Sequence, residues 1–301
     1  MNPTAFTTVV SDSVSATAER EEKLFTQLLH HVFDSNEIEL PFLGHVHLPH
    51  FHPVEIFGVS FDFSITKHVV FLLFSALLII VVLALAARSN RRNTVPSGFG
   101  NFIDVFVVFI RDEIVLPNMG TAGLRYLPYL LTTFFFILVM NLFGIIPYGA
   151  SATGNVNVTA GLAIVAFFFI QLTAIRAQGL KHYLLHLTGG VKTGIVLIDV
   201  ILMIIMIPIE ILGLFTKPFA LCIRLFANMT GGHIVIVSLI GLIFAFKSYL
   251  IAALPAGFVV GIGLLELFVA LLQAYIFTML TAIFMGLGIQ AAEAHGNDDG
   301  H

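Results

Sequence analysis

Apolar residues run through this chain in blocks too long for a soluble fold. Val69 to Ala87 carries no charge, with Lys67 and His68 before it and Arg88, Arg91 and Arg92 after it. About 20 apolar residues suffice to cross a bilayer core, so this block predicts one membrane-spanning helix. Tyr126 to Ile175 is also free of charge. It is too long for one crossing and is interrupted by the polar run 147–157, which predicts a helical hairpin over roughly 126–147 and 158–175. Beyond Lys192 two longer apolar blocks follow, parted near Lys247. The earlier holds Asp199, Glu210, Lys217, Arg224 and His233; the later, Ser248 to Ala292, holds one charge, Glu266.

Phe99 to Val115 has a different pattern. Phe99, Phe102, Ile103, Phe106, Ile110 and Ile114 recur at helical spacing, with Asn101, Asp104 and Arg111 on the other side. That predicts an amphipathic helix on the membrane surface. The expected fold is therefore an all-α polytopic membrane protein with five principal crossings, plus this surface helix. Residues 1–67 form an extramembrane segment, 68–292 the membrane domain and 293–301 a polar tail.

Composition agrees. Of 301 residues, 58% are hydrophobic and only 11% charged, which excludes a soluble enzyme. Lys+Arg 14 against Asp+Glu 18 leaves a net charge of −4, which excludes a basic nucleic-acid binder. The single cysteine, Cys222, excludes a disulfide framework and cysteine-based metal sites. No P-loop, nucleophile elbow or zinc-protease motif is present, and no cofactor is expected.

The first 67 residues lack the basic and apolar regions of a signal peptide. Their start, 1–18, reads as disordered, and 19–36 as a short amphipathic helix. His45, His47, His50 and His52 have a spacing that can hold a metal. With no cysteine or carboxylate among them, an exposed His-rich loop is the preferred reading, and no metal is expected.

Ionisable groups at membrane depth carry the chemistry, since a mid-membrane charge costs at least ~2.5 kcal/mol. Lys217 and Lys247 sit by breaks and can snorkel. Arg224 cannot do so easily, because Leu225 to Phe246 has no other formal charge. Arg224 and Asn228, four apart, share a helix face; Glu210 lies about 21 Å away along a straight helix, and His233 about 180° around it. Glu266 and Gln273, seven apart, are nearly eclipsed about 10 Å along theirs. A lone buried glutamate needs a partner or stays protonated, and His233 is the candidate partner. These residues point to cation movement, most simply of protons. They leave a pump, an antiporter and a rotary machine open.

Lys217-Pro218 with Arg224-Leu-Phe-Ala-Asn228-Met-Thr-Gly-Gly-His233 closely resembles the signature of the a subunit of F-type ATP synthases. Phe268 to Leu280, with Gln273, resembles that family's last helix, and Asn141 to Pro147 with Gly154 to Thr159 resembles its hairpin. The similarity covers about residues 60–290. It implies a stator in the membrane sector, with no nucleotide site of its own, beside a ring of c subunits that each carry a mid-membrane carboxylate. It also implies two half-channels opening to opposite sides. Arg224 would stand between them, attracting the c-ring carboxylate and blocking a direct leak. Asn228 and Gln273 would be polar neighbours at the ring, His233 and Glu266 would line the outer half-channel, and Glu210 would stand near the inner one. The last two helices would be long and tilted. Implied partners are the c-ring, the b subunits of the peripheral stalk, the F1 catalytic sector indirectly, and lipid. The implied location is a bacterial inner membrane.

Two departures stand out. Many relatives have a carboxylate where this chain has His233 and a histidine where it has Glu266, so the two types are exchanged. Some relatives have an aspartate where it has Gly144. The alternative reading is a secondary cation/proton antiporter using Glu210 and Glu266. It calls for internal repeats, and the sequence has none.

Lys/Arg asymmetry sets the expected orientation. Residues 1–67 carry three basic residues against nine acidic ones, 88–125 carry five arginines, and 176–192 carry Arg176, Lys181 and Lys192. The N-terminus is expected outside and the C-terminus inside. In a Cys222→Ala background, single cysteines at Asn36 and Lys181 should react with an impermeant thiol reagent from opposite sides. Reaction of both from one side would overturn this topology.

Overall fold

The computed structural model describes residues 37–40, 44–49, 54–56, 59–61, 64, 66–92, 98–146, 149, 151–187, 196–246 and 249–298. The expectations for 1–18 and 19–36, and the side chains of the four N-terminal histidines, lie outside the described residues. Two short antiparallel hairpins precede the membrane domain. In one, β1 (Glu37–Leu40) pairs with β2 (Gly44–His47), setting Glu37 opposite His47 and Glu39 opposite His45. In the other, β3 (Val54–Ile56) pairs with β4 (Val59–Phe61).

Everything described beyond residue 66 is helix or tight turn. The helices are α1 (Lys67–Arg92), α2 (Phe99–Phe109), α3 (Leu127–Ile145), α4 (Val156–Gln178), α5 (Leu180–Leu187), α6 (Val196–Phe246) and α7 (Tyr249–Asp298). Five of them contain segments long and apolar enough to cross a membrane: Lys67–Ser89, Thr121–Ile145, Val156–Gln178, Val200–Ile243 and Ala253–Ala292. This is the expected all-α polytopic architecture. In lipid the backbone must satisfy its own polar groups, and helices do so within one segment. The Val200–Ile243 segment has 44 residues. At 1.5 Å per residue it rises about 66 Å, about twice the hydrocarbon thickness, so it fits only steeply inclined. Pro208 and Pro218 lie inside α6 without ending it.

The surface helix differs in detail from expectation. The α-helix stops at Phe109, and a π-helical stretch runs from Ile110 to Val115, followed by one α-turn, Leu116–Met119. The extra residue per turn sends Ile110, Ile114 and Val115 all inward, each fully buried. Phe99 and Phe102, on the apolar stripe expected to meet the membrane, are more than half exposed, as is Val105. Such an outward face suits contact with lipid. Arg111 hydrogen-bonds Asp112 at 2.7 Å at the exposed surface and holds its carboxyl below the ordinary range.

The chain falls into two compact units. One comprises Met1–Leu73, Asn141–Asn155 and Ala227–Ala270; the other Phe74–Met140, Val156–Phe226 and Leu271–His301. The second holds most of the aromatic packing. Tyr129 of α3 stacks on Phe169 of α4 with centroids 3.8 Å apart, joining the hairpin arms. Phe106 of α2 meets Phe134 and Phe135 of α3, Phe109 meets Tyr275 of α7, and Phe167 of α4 meets Phe215 of α6. α4 and α7 come together at Gly288, whose backbone carbonyl accepts a hydrogen bond from Gln178 at 3.0 Å. Thr173, Thr216, Ser238, Thr278 and Thr281 each donate to the carbonyl four residues earlier, which satisfies hydroxyls where water is scarce.

A Cβ added at Gly288 would lie 2.8 Å from Ala174 Cβ, whereas one at Gly161 meets nothing within 4 Å. Gly288→Val should therefore destabilise the membrane domain by ~1–3 kcal/mol, while Gly161→Ala should be neutral or slightly stabilising. The check is the thermal midpoint of the detergent-solubilised protein. An unchanged midpoint for Gly288→Val would show that the helices do not meet there.

Candidate functional site

Two groups of polar residues stand out in this apolar chain, one in each unit. In the first unit the hairpin turn after α3 carries a hydrogen-bonded chain. Ser151 and Thr153 hydroxyls lie 2.7 Å apart, and Thr153 donates to Asn141 Oδ1 at 2.6 Å. Asn141 Nδ2 donates to the Ala270 carbonyl at 3.5 Å. All three side chains are buried. The network ties the hairpin to α7, and Phe71 against Phe143 ties it to α1 with centroids 5.9 Å apart.

Beside this network is Gly144. A Cβ there would lie 2.6 Å from Met229 Cε, 2.6 Å from Ser151 Cβ and 2.9 Å from His233 Nε2. The imidazole of His233 therefore occupies the space that a side chain at position 144 would take. One residue before His233, Gly232 lies in direct contact with the Glu266 carboxylate, leaving no room for a Cβ. Glu266 is 7% exposed, and its Oε1 has no hydrogen-bond partner among the described residues. His233 and Glu266 are thus gathered in one unit through Gly232, with no direct ion pair between them among the described contacts.

In the second unit Arg224 occupies the exposed side of α6, while Leu221, Cys222 and Leu225 are buried. The Thr159 hydroxyl reaches Cys222 Sγ at 3.4 Å, which fixes the buried side of α6 against α4. No described residue forms an ion pair with Arg224. Lys217 lies over the Phe284 ring of α7 at 5.2 Å, so its charge is held by an aromatic face. Gln273 is 2% exposed on α7. Glu210 is half-buried on α6. Near it, the Tyr183 hydroxyl of α5 donates to Gln171 Oε1 at 2.6 Å; burial and the Glu210 carboxylate push the Tyr183 phenol above its ordinary range. Asn228, in the first unit, is exposed on α6. Asp199 and Lys247 lie outside the described side chains.

A family model described as "ATP synthase A chain" matches residues 69–286. The chain belongs to this family. It is 49% identical over 288 residues to "ATP synthase subunit a 2" of Chlorobaculum tepidum, covering 94% of this chain and 78% of the relative. It is 47% identical to "ATP synthase subunit a" of Chloroherpeton thalassium, covering 91% and 80%. It is 48% identical to "ATP synthase subunit a" of Anaeromyxobacter dehalogenans, covering 93% and 74%. With five apolar helices able to cross a bilayer, it is an integral membrane protein of the ATP synthase complex.

The residues singled out from sequence divide between the two units: His233, Glu266 and Asn228 in one, Glu210, Arg224 and Gln273 in the other. Sequence reasoning missed the Asn141–Thr153–Ser151 chain and the Tyr183–Gln171 pair. Their signal was small polar residues inside stretches otherwise apolar, but which of them touch is a matter of tertiary packing.

Proposed function

We propose that this chain is the proton-conducting stator of the F0 membrane sector, with two half-channels kept apart by Arg224. The observation that carries the reading is the state of Arg224 itself. It lies near the middle of the 44-residue apolar segment of α6, on the exposed side, and has no carboxylate partner in its own chain among the described residues. A guanidinium stays charged at any working pH, and an uncompensated charge at membrane depth is costly. In this reading its counter-charge comes from another molecule. A ring of c subunits, each with a mid-membrane carboxylate, supplies one that arrives and leaves as it takes up and releases a proton.

The apolar surface around Arg224 supports this. Phe215, Phe219 and Ile223 of α6 are all exposed, and a rotating ring needs a smooth apolar track. His233 and Glu266 would serve the outer half-channel and Glu210 the inner one, with Asn228 and Gln273 as polar neighbours at the ring. The b subunits hold the stator, and the catalytic sector is reached only through them and the ring. The N-terminus lies outside and the C-terminus inside a bacterial inner membrane.

Arg224→Ala should abolish ATP synthesis driven by a proton gradient and leak protons, while Arg224→Lys should be severely impaired, because lysine loses the weakly hydrated, always-protonated fork. The check is coupled synthesis and passive proton flux in membrane vesicles, with assembly confirmed by co-purification of the c-ring. Near-normal coupled synthesis in Arg224→Ala vesicles would refute the assigned role.

His233→Ala and Glu266→Ala should each slow synthesis strongly, but less than Arg224→Ala. The double exchange His233→Glu with Glu266→His should recover more activity than either single exchange, with a coupling of ~0.5–3 kcal/mol in the mutant cycle. Each single exchange sets two groups of one type together and drives one away from its working range. Strict additivity would show that the two groups act separately.

A further inference from the structure

His68 is a buried titratable group that none of the roles above uses. It sits in the first turn of α1 and is only 3% exposed. Its Nε2 faces Gly154, where an added Cβ would lie 3.9 Å away. Gly154 belongs to the same hairpin turn as Ser151 and Thr153, and Ser151 packs beside Gly144 and so beside His233. His68 and Lys67 are the groups within electrostatic reach of His233. One turn of chain thus separates two imidazoles inside a single unit, and that turn presents hydroxyls and glycines rather than bulky apolar side chains.

α1 contributes Lys67 and His68, and the hairpin 141–155 contributes only neutral groups, Asn141, Ser151, Thr153 and Asn155. α6 contributes His233, and α7 contributes Glu266 against Gly232. Nothing else that titrates faces this cluster among the described residues.

We propose that His68 is a third titratable group of the proton path, on the outer side of His233, taking protons from the outer aqueous phase and handing them on. The proposal rests on the reading of the chain as a proton-conducting stator. An imidazole fits the task because it binds a proton at one ring nitrogen and releases one from the other, so it returns to its starting charge after each passage. Its place at the first turn of the first crossing puts it where α1 enters the membrane. The bonded Ser151 and Thr153 hydroxyls lie in the intervening turn and can each accept and donate a proton. A purely structural histidine in the same place would pin the hairpin to α1 and leave no mark on the proton dependence of the rate.

The test uses the assembled ATP synthase in membrane vesicles, with synthesis measured at constant driving force while the outer pH is varied across about 6 to 8. His68→Gln keeps a polar group of similar size but cannot titrate; His68→Asn is a second, smaller amide. Both should synthesise ATP about fivefold more slowly than wild type at the alkaline end, a loss within the range for coupled neighbouring groups. The loss should shrink at the acid end, where abundant protons reach His233 without help. A uniform loss at every pH, a wild-type rate and profile, or failure of both variants to assemble would each overturn the proposal and leave His68 a structural residue. Arg224→Ala is measured alongside. Coupled synthesis surviving in that variant defeats the stator reading itself, whereas its loss together with a wild-type His68→Gln profile defeats only the role of His68.

Discussion

The cost of holding a charge at membrane depth without a counter-charge is the constraint on which the proposed function turns. Arg224 has an exposed position on α6, apolar neighbours and no carboxylate from its own chain among the described residues. Such a group does not stabilise the isolated subunit. In the proposed role an external carboxylate would meet it, and the same cost that would count against the arginine in a self-sufficient membrane protein would make it a selector. It would favour a deprotonated partner and release a protonated one without giving up its own proton.

Many of the described polar groups are satisfied within the fold. Serine and threonine hydroxyls bond the carbonyl one turn back, so they cost little in the helices that carry them. Lys217 lies over an aromatic ring, and Asn141 is held between Thr153 and the Ala270 carbonyl. Against this background the Glu266 Oε1, buried and without a hydrogen-bond partner among the described residues, is an exception. Buried acceptors are rarely left so unless the site has work to do. Its neighbour Gly232 shows that the backbone was brought up to the carboxylate rather than a side chain, which fixes its position without neutralising it.

Glycines set several of these distances. At Gly144 the absent side chain leaves room for His233; at Gly232 it admits Glu266; at Gly288 it lets α7 touch Ala174 of α4. The histidine on α6 fills the space beside position 144, and the glutamate on α7 brings a carboxylate to the same cluster.

The number of crossings and their approximate limits followed from the sequence, because hydrophobic length is a property of the chain alone, and the candidate site residues stood out from the rarity of charge at membrane depth. Arg224, His233 and Glu266 stood out for that reason before any geometry was known, and the break near Lys247 marked where α6 gives way to α7. Tertiary structure alone decided what touches what. The π-helical turn at Ile110–Val115, which carries three apolar residues inward at once, obeys packing rather than the 3.6-residue period that predicted a regular helix. The neighbourhood of His68, Gly154, Ser151, Gly144 and His233 joins segments far apart along the chain, and no local pattern encodes such a meeting. It exists because the hairpin turn and the first turn of α1 are packed in one unit, where close contact between backbone and side chain is set by shape.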